Sequence, residues 1–111
     1  MRLDVRGQTL TPALLDHVER RLGFALSRFG HRIRRVAVRL GGLSGPRGGA
    51  DQRCRVVVTL RPSGTVVVED TAPDVSTAID RGADRAQRAV ARATARAREM
   101  RDSPILPEEC G

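Results

Sequence analysis

Leu3 and Val5 alternate with Arg2, Asp4 and Arg6, which is the period of a short half-buried strand, and Gly7 ends it. Thr11-Pro12 then reads as an N-cap with proline at the first helical position. From there Leu14, Leu15, Val18, Leu22, Leu26 and Phe29 recur at steps of three and four, one apolar side of an amphipathic helix. Gly30 fits its stop. Gly23 lies inside it and costs roughly 1 kcal/mol against alanine, for which close approach to a sheet is the expected reason. Alternation resumes at Ile33–Leu40, with Val36, Val38 and Leu40 on one face and Arg35, Ala37 and Arg39 on the other. Five glycines and Pro46 make residues 41–51 a loop. Arg53–Leu60 alternates again, with Cys54, Val56, Val58 and Leu60 on its apolar face, and Pro62-Ser63-Gly64 turns the chain into a strand over Thr65–Thr71. Asp74 can cap a last helix whose small-residue side runs Val75, Ala78, Ile79, Gly82, Ala86, Ala89, Val90, Ala93 and Ala97. Residues 102–111, with two prolines and three acids, are expected to form a disordered acidic tail after a domain at 1–101.

The order is β-α-β-β-β-α. Strands that alternate apolar with polar build a sheet with one covered and one wet face. Both helices must lie on the apolar face, so the expected fold is α+β: a two-layer sandwich of a four-stranded sheet and two helices. The wet face would carry Arg35, Arg39, Arg53 and Arg55, and also Arg2 and Arg6.

Charge changes this picture from a fold into a surface. The 111 residues carry twenty basic residues, all arginine, against thirteen acids, a net charge of +7. Residues 1–61 hold +9, residues 62–80 hold −4 with no base, residues 81–101 hold +5, and the tail holds −3. Two basic blocks fit a polyanion, although basic charge also serves solubility. The arginines of the last helix are ordered: Arg81, Arg85, Arg88, Arg92 and Arg96 are spaced by four, three, four and four. At ~100° and ~1.5 Å per residue they form a ridge about 22 Å long within an arc of roughly 80°. A merely solvated face mixes Glu with Arg at such spacings, and only Glu99 falls near this one in the sequence. A row of phosphates is the matching partner. Like charges on the wet sheet face cost stability unless an anion lies nearby, or they protect the sheet against edge pairing. Arg47, in the Gly-rich loop Gly41–Gly49, could be carried into a groove. That loop lacks a Gly-Lys-Ser/Thr ending and leads into a strand, so a nucleotide site is not expected.

No catalytic set stands out. His17 lies beside Asp16 and Glu19 on one helix, where neighbours do not converge. Cys54 and Cys110 offer neither a disulfide nor, with two distant histidines, a metal site. The reading is a non-enzyme with no cofactor, no metal, no small-molecule substrate and no membrane span, placed in the cytoplasm. Phe24 and Phe29 are the only aromatics. Recognition is therefore expected to rest on shape and phosphates more than on base stacking.

These features resemble the hibernation-promoting factor and ribosome-associated inhibitor A family over about residues 1–98. The likeness runs through Thr11, Ala13-Leu14, Val18, Leu22, Leu26 and Phe29; through Ile33, Val36 and Val38; and through Gly45-Pro46-Arg47-Gly48-Gly49, Asp51 and Cys54-Arg55-Val56. In the last helix it runs through Asp74, Ala78-Ile79-Asp80, Asp84-Arg85, Arg88, Arg92 and Arg96. Ser76 stands where the family often has an aromatic residue, and Arg92-Ala93-Thr94 where it has a Lys-His-Lys-like run. The resemblance implies a fold similar to double-stranded-RNA-binding domains. It also implies a short form, a monomer off the ribosome, that docks in the small ribosomal subunit, on ribosomal RNA, and excludes messenger and transfer RNA. The basic ridge carries over to Arg85, Arg88, Arg92 and Arg96. Two rivals remain: a structured-RNA-binding module acting off the ribosome, and a protein-interaction regulator of transcription.

Overall fold

The computed structural model describes residues 2–7, 10–42 and 51–102. Its elements are β1 (Arg2–Gly7), α1 (Pro12–Leu26), β2 (Ile33–Gly42), β3 (Gln52–Leu60), β4 (Thr65–Ala72) and α2 (Val75–Asp102). The sheet order is β1-β2-β3-β4. β1 runs parallel to β2, which the crossover through α1 makes possible, and the other two pairings are antiparallel. The helices cover one face. α2 lies over β4 and β3, and α1 packs beside it. The two-layer α+β sandwich read from the pattern is the fold observed.

Thr11 caps α1, its hydroxyl accepting from the Leu14 N–H at 3.2 Å, and Pro12 follows. The helix ends at Leu26, earlier than Gly30. A 3₁₀ helix, Ser27–Arg32, takes over, and Gly30 lies within it. The tighter winding turns Phe29 against the core. In β2 the register shifts between Ile33 and Arg35, so that Ile33 and Val36, three apart, both face inward. The core centres on Leu22, Leu26, Ile33 and Ile79 with the strand valines, each large side chain contributing about 1.5–3 kcal/mol on burial. No buried side chain among the described residues is polar or charged.

The close approach expected at Gly23 is at Gly82 instead. A Cβ on Gly23 would meet nothing within 4 Å, whereas one on Gly82 would lie 2.9 Å from the Cys54 Sγ. Ala83, which the small-residue pattern did not include, is fully buried beside it, and Ala97, which the pattern did include, is exposed. Small residues thus press α2 onto β3 over its first half, and by Ala97 the helix has left the core. Cys54 is a free thiol in this contact. Burial, with the Asp70 carboxylate second, pushes it up to about 12, which leaves it inert.

Candidate nucleic-acid interface

The polar start of α2 is built by Asp74, whose carboxylate accepts the Thr77 N–H at 3.0 Å and the Thr77 hydroxyl at 2.8 Å. These bonds hold the Asp74 carboxyl below its ordinary 3.8. From this fixed start the ridge follows. Arg81, Arg85, Arg88, Arg92 and Arg96 are all exposed. Their partners differ along its length. Arg81 donates to the Thr71 carbonyl at 3.0 Å, and Arg85 donates through Nε to Asp70 at 2.7 Å. Asp70 also accepts the Thr71 N–H at 2.8 Å. The Arg85 bond is the main reason that its carboxyl lies below 3.8. Arg88 makes only a long 3.5 Å approach to the Asp84 carbonyl. Arg92 and Arg96 make no hydrogen bond or ion pair among the described residues.

Acids therefore stand nearer the ridge than the sequence suggested. Asp70 and Asp84 share a shallow groove of about 350 Å³ with Arg81, Arg85, Arg88 and Arg92. Asp84 faces α1 as well. There Arg21 reaches Asp80 at 2.9 Å and Asp84 at 3.4 Å, and His17 Nε2 meets the same Asp80 oxygen at 2.9 Å. So His17 does have a partner, on another helix, and the group is an interhelical clamp. α2 keeps carboxylates on its α1 flank and guanidinium groups on the flank over β4.

The C-terminal half of the ridge borders a second groove, of about 790 Å³, that also carries Arg32 and Arg61. The Arg61 N–H donates to the Arg32 carbonyl at 2.8 Å, and Leu60 N–H to Gly64 at 2.8 Å, which folds the β3–β4 turn against the end of the 3₁₀ helix. Gly64 closes that turn at φ 112°, open to glycine without strain. Arg32 and Arg61 were absent from the sequence-based candidates. Only the proline-containing turn hinted at them, and it gave no sign that it would face Arg92.

The open sheet face carries the arginines expected of it, in rows set by register. Arg2 lies opposite Arg35, Arg6 opposite Arg39, and Arg39 opposite Arg55. Two of them are neutralised: Arg35 by Asp4 at 2.7 Å and Arg53 by Glu69 at 3.2 Å. Arg6, Arg39 and Arg55 have no carboxylate within ion-pair distance among the described residues, and they line a groove of about 290 Å³ over Ala37 and Val57. Arg47 lies outside the described residues, as does the acidic segment from 103 onward. No group of three or more His, Cys, Asp or Glu among the described residues could hold a metal, and no described helix is long and apolar enough to cross a membrane.

A family model described as sigma 54 modulation protein / S30EA ribosomal protein matches residues 2–98. Among solved structures, the N-terminal domain of Thermus thermophilus Protein Y is 29% identical, with a TM-score of 0.67, over 83% of this chain and 98% of that one. A ribosomal subunit interface protein from Coxiella burnetii is 16% identical, with a TM-score of 0.73, over 86% and 99%, a likeness of fold. Comparison with curated proteins finds no match.

Proposed function

The chain belongs to the sigma 54 modulation protein / S30EA ribosomal protein family, and from that membership we propose that it is a ribosome-associated translation inhibitor, a hibernation factor. In this reading it binds small-subunit ribosomal RNA and occupies the sites of messenger and transfer RNA during stress or stationary growth. It works by occupancy and catalyses no step. The observation that carries the reading is the half-ridge at Arg88, Arg92 and Arg96: exposed on one side of α2, with no carboxylate within ion-pair distance among the described residues. Like charges so placed repel one another and gain from a row of phosphates. Arg32 and Arg61 widen that surface across the groove, and Arg6, Arg39 and Arg55 offer a second one on the sheet.

The test is sedimentation of the purified protein with small subunits on a sucrose gradient at moderate salt. Co-migration with small subunits or whole ribosomes is the expected result, and free protein at the top of the gradient refutes the reading. The family's description also names sigma 54 modulation, which supports a second reading as a regulator that meets an acidic protein surface. Binding to a protein partner that survives nuclease would select that reading.

A further inference from the structure

The groove between the C-terminal half of α2 and the β3–β4 turn has an unusual make-up. Its floor is apolar, from Leu60, Val66, Ala89 and Ala93, and its rim carries Arg32, Arg61, Arg92 and Arg96. None of these four arginines lies within ion-pair distance of a carboxylate among the described residues. An occupant suited to it brings apolar side chains and anions together. The chain has such a segment directly after α2: Ile105-Leu106-Pro107-Glu108-Glu109.

We propose that this segment folds back along α2 into the groove, with Ile105 and Leu106 at its near end beside Ala97 and Ala93 and Glu108 and Glu109 against Arg96 and Arg92, and that it thereby competes with RNA for the ridge. The lengths agree. α2 ends at Asp102. Arg96 and Arg92 lie six and ten residues back, about 9 and 15 Å along the helix. Glu108 lies six residues onward, within ~20 Å when extended. Ser103-Pro104 is a natural reversal point, because the residue before a proline avoids helical geometry. A tether this short holds the segment at an effective concentration of order mM, so that even weak contacts are populated. The docking half of the proposal stands alone; the competition half rests on the RNA-binding reading above.

Cys110 allows a direct test on the full chain. Cys54 is buried and its thiol is raised to about 12, so a nitroxide reagent at neutral pH marks Cys110. Without RNA, the label should broaden the amide signals of residues 92–97 and 61–65, less so at high salt, and not in the Glu108→Arg, Glu109→Arg variant. Broadening equal in wild type and variant, or spread evenly over the protein, overturns docking whether or not the chain binds RNA. Broadening of an unlabelled, isotope-enriched chain mixed with a labelled one assigns the segment to a second copy and overturns it too. Adding a ~16-base-pair RNA duplex should relieve the broadening; persistence under saturating RNA overturns the competition. A docked fraction near three quarters makes the chain truncated after Asp102 bind that duplex about fourfold tighter.

Discussion

Arg81 and Arg85 share a side of α2 with Arg88, Arg92 and Arg96, yet the two groups meet different surroundings. The first pair reaches down to β4, to the Thr71 carbonyl at 3.0 Å and the Asp70 carboxylate at 2.7 Å. There Gly82, Ala83 and Ala86 bring the helix close to the sheet, and Asp80 and Asp84 tie it to α1. Beyond Ala93 the helix leaves the core, Ala97 is exposed, and Arg92 and Arg96 border a groove shared with two further arginines. One repeat in the sequence thus does two jobs. Where the helix has a sheet beneath it, its arginines fasten the fold. Where it outruns the core, they have no carboxylate partner among the described residues, and in the proposed function they meet an external anion. The number of arginines on a face says little about function until the carboxylates and carbonyls within their reach are counted.

Charge reversal breaks this comparison most sharply. Arg88→Glu, Arg92→Glu and Arg96→Glu together should weaken binding to small subunits about 100-fold, at roughly 1 kcal/mol per contact. The slope of log K against log salt should flatten by about 3. The melting temperature should hold. Binding isotherms at several salt concentrations and a thermal melt read all three. An unchanged salt slope removes the outer half-ridge from the interface. The next effect is on stability. Gly82→Leu drives side-chain atoms into the Cys54 Sγ, which already lies 2.9 Å from the site of a Cβ. Overpacking of this kind costs about 1–3 kcal/mol, part of which the gain in helix propensity returns. A melt no lower than that of wild type would show that the helix and β3 separate there at little cost.

How far these halves could be told apart in advance depends on the range of the interactions. Alternation in Val36, Val38, Leu40 and Cys54–Leu60 marks the buried face because burial acts on each strand by itself. Arginine spacing marks the ridge for the same reason: both are properties of one element. The partners are different. Asp70 and Thr71 lie ten or more residues before Arg81 and Arg85 and meet them only after β4 and α2 pack. Arg32 and Arg61 reach the Arg92 groove through a turn folded against the 3₁₀ helix. Gly23 and Gly82 look alike in their helices, and only the packing of α2 on Cys54 tells them apart. The cross-strand pairing of Asp4 with Arg35 likewise needs the parallel register of β1 with β2, which no local pattern specifies.

The inner half should also answer to its own small edits. Arg81→Gln with Arg85→Gln should lower stability by about 1 kcal/mol, the scale of exposed pairs, a melting shift of several degrees for a domain of this size. The salt slope of RNA binding should change less than in the outer triple variant. Asp80→Asn removes the shared partner of His17 and Arg21, at a similar cost on the melt and with RNA affinity unchanged. If the inner arginines flatten the salt slope as much as the outer ones do, the ridge works as one unit and the division fails.

Acid gives the gentlest probe of the division. Asp70 and Asp74 both titrate below 3.8 in the fold, Asp70 through its bond from Arg85 and Asp74 through those from Thr77. The folded state therefore binds fewer protons than the unfolded chain over the interval between each lowered value and the ordinary one. The stabilisation is complete above the ordinary carboxylate range and is lost as the pH falls through it toward the folded values. Melting temperature should drop through that window, and the gap between wild type and an Asp70→Asn, Asp74→Asn variant should close there. Both carboxylates bind the inner half of α2, Asp70 from β4 and Asp74 from the cap. Over the same pH steps the side-chain N–H signal of Arg85 should move, while those of Arg92 and Arg96, which no carboxylate touches among the described residues, should stay. Joint movement of all three would mean that the outer arginines share the Asp70 field, and the two halves would then be one electrostatic site.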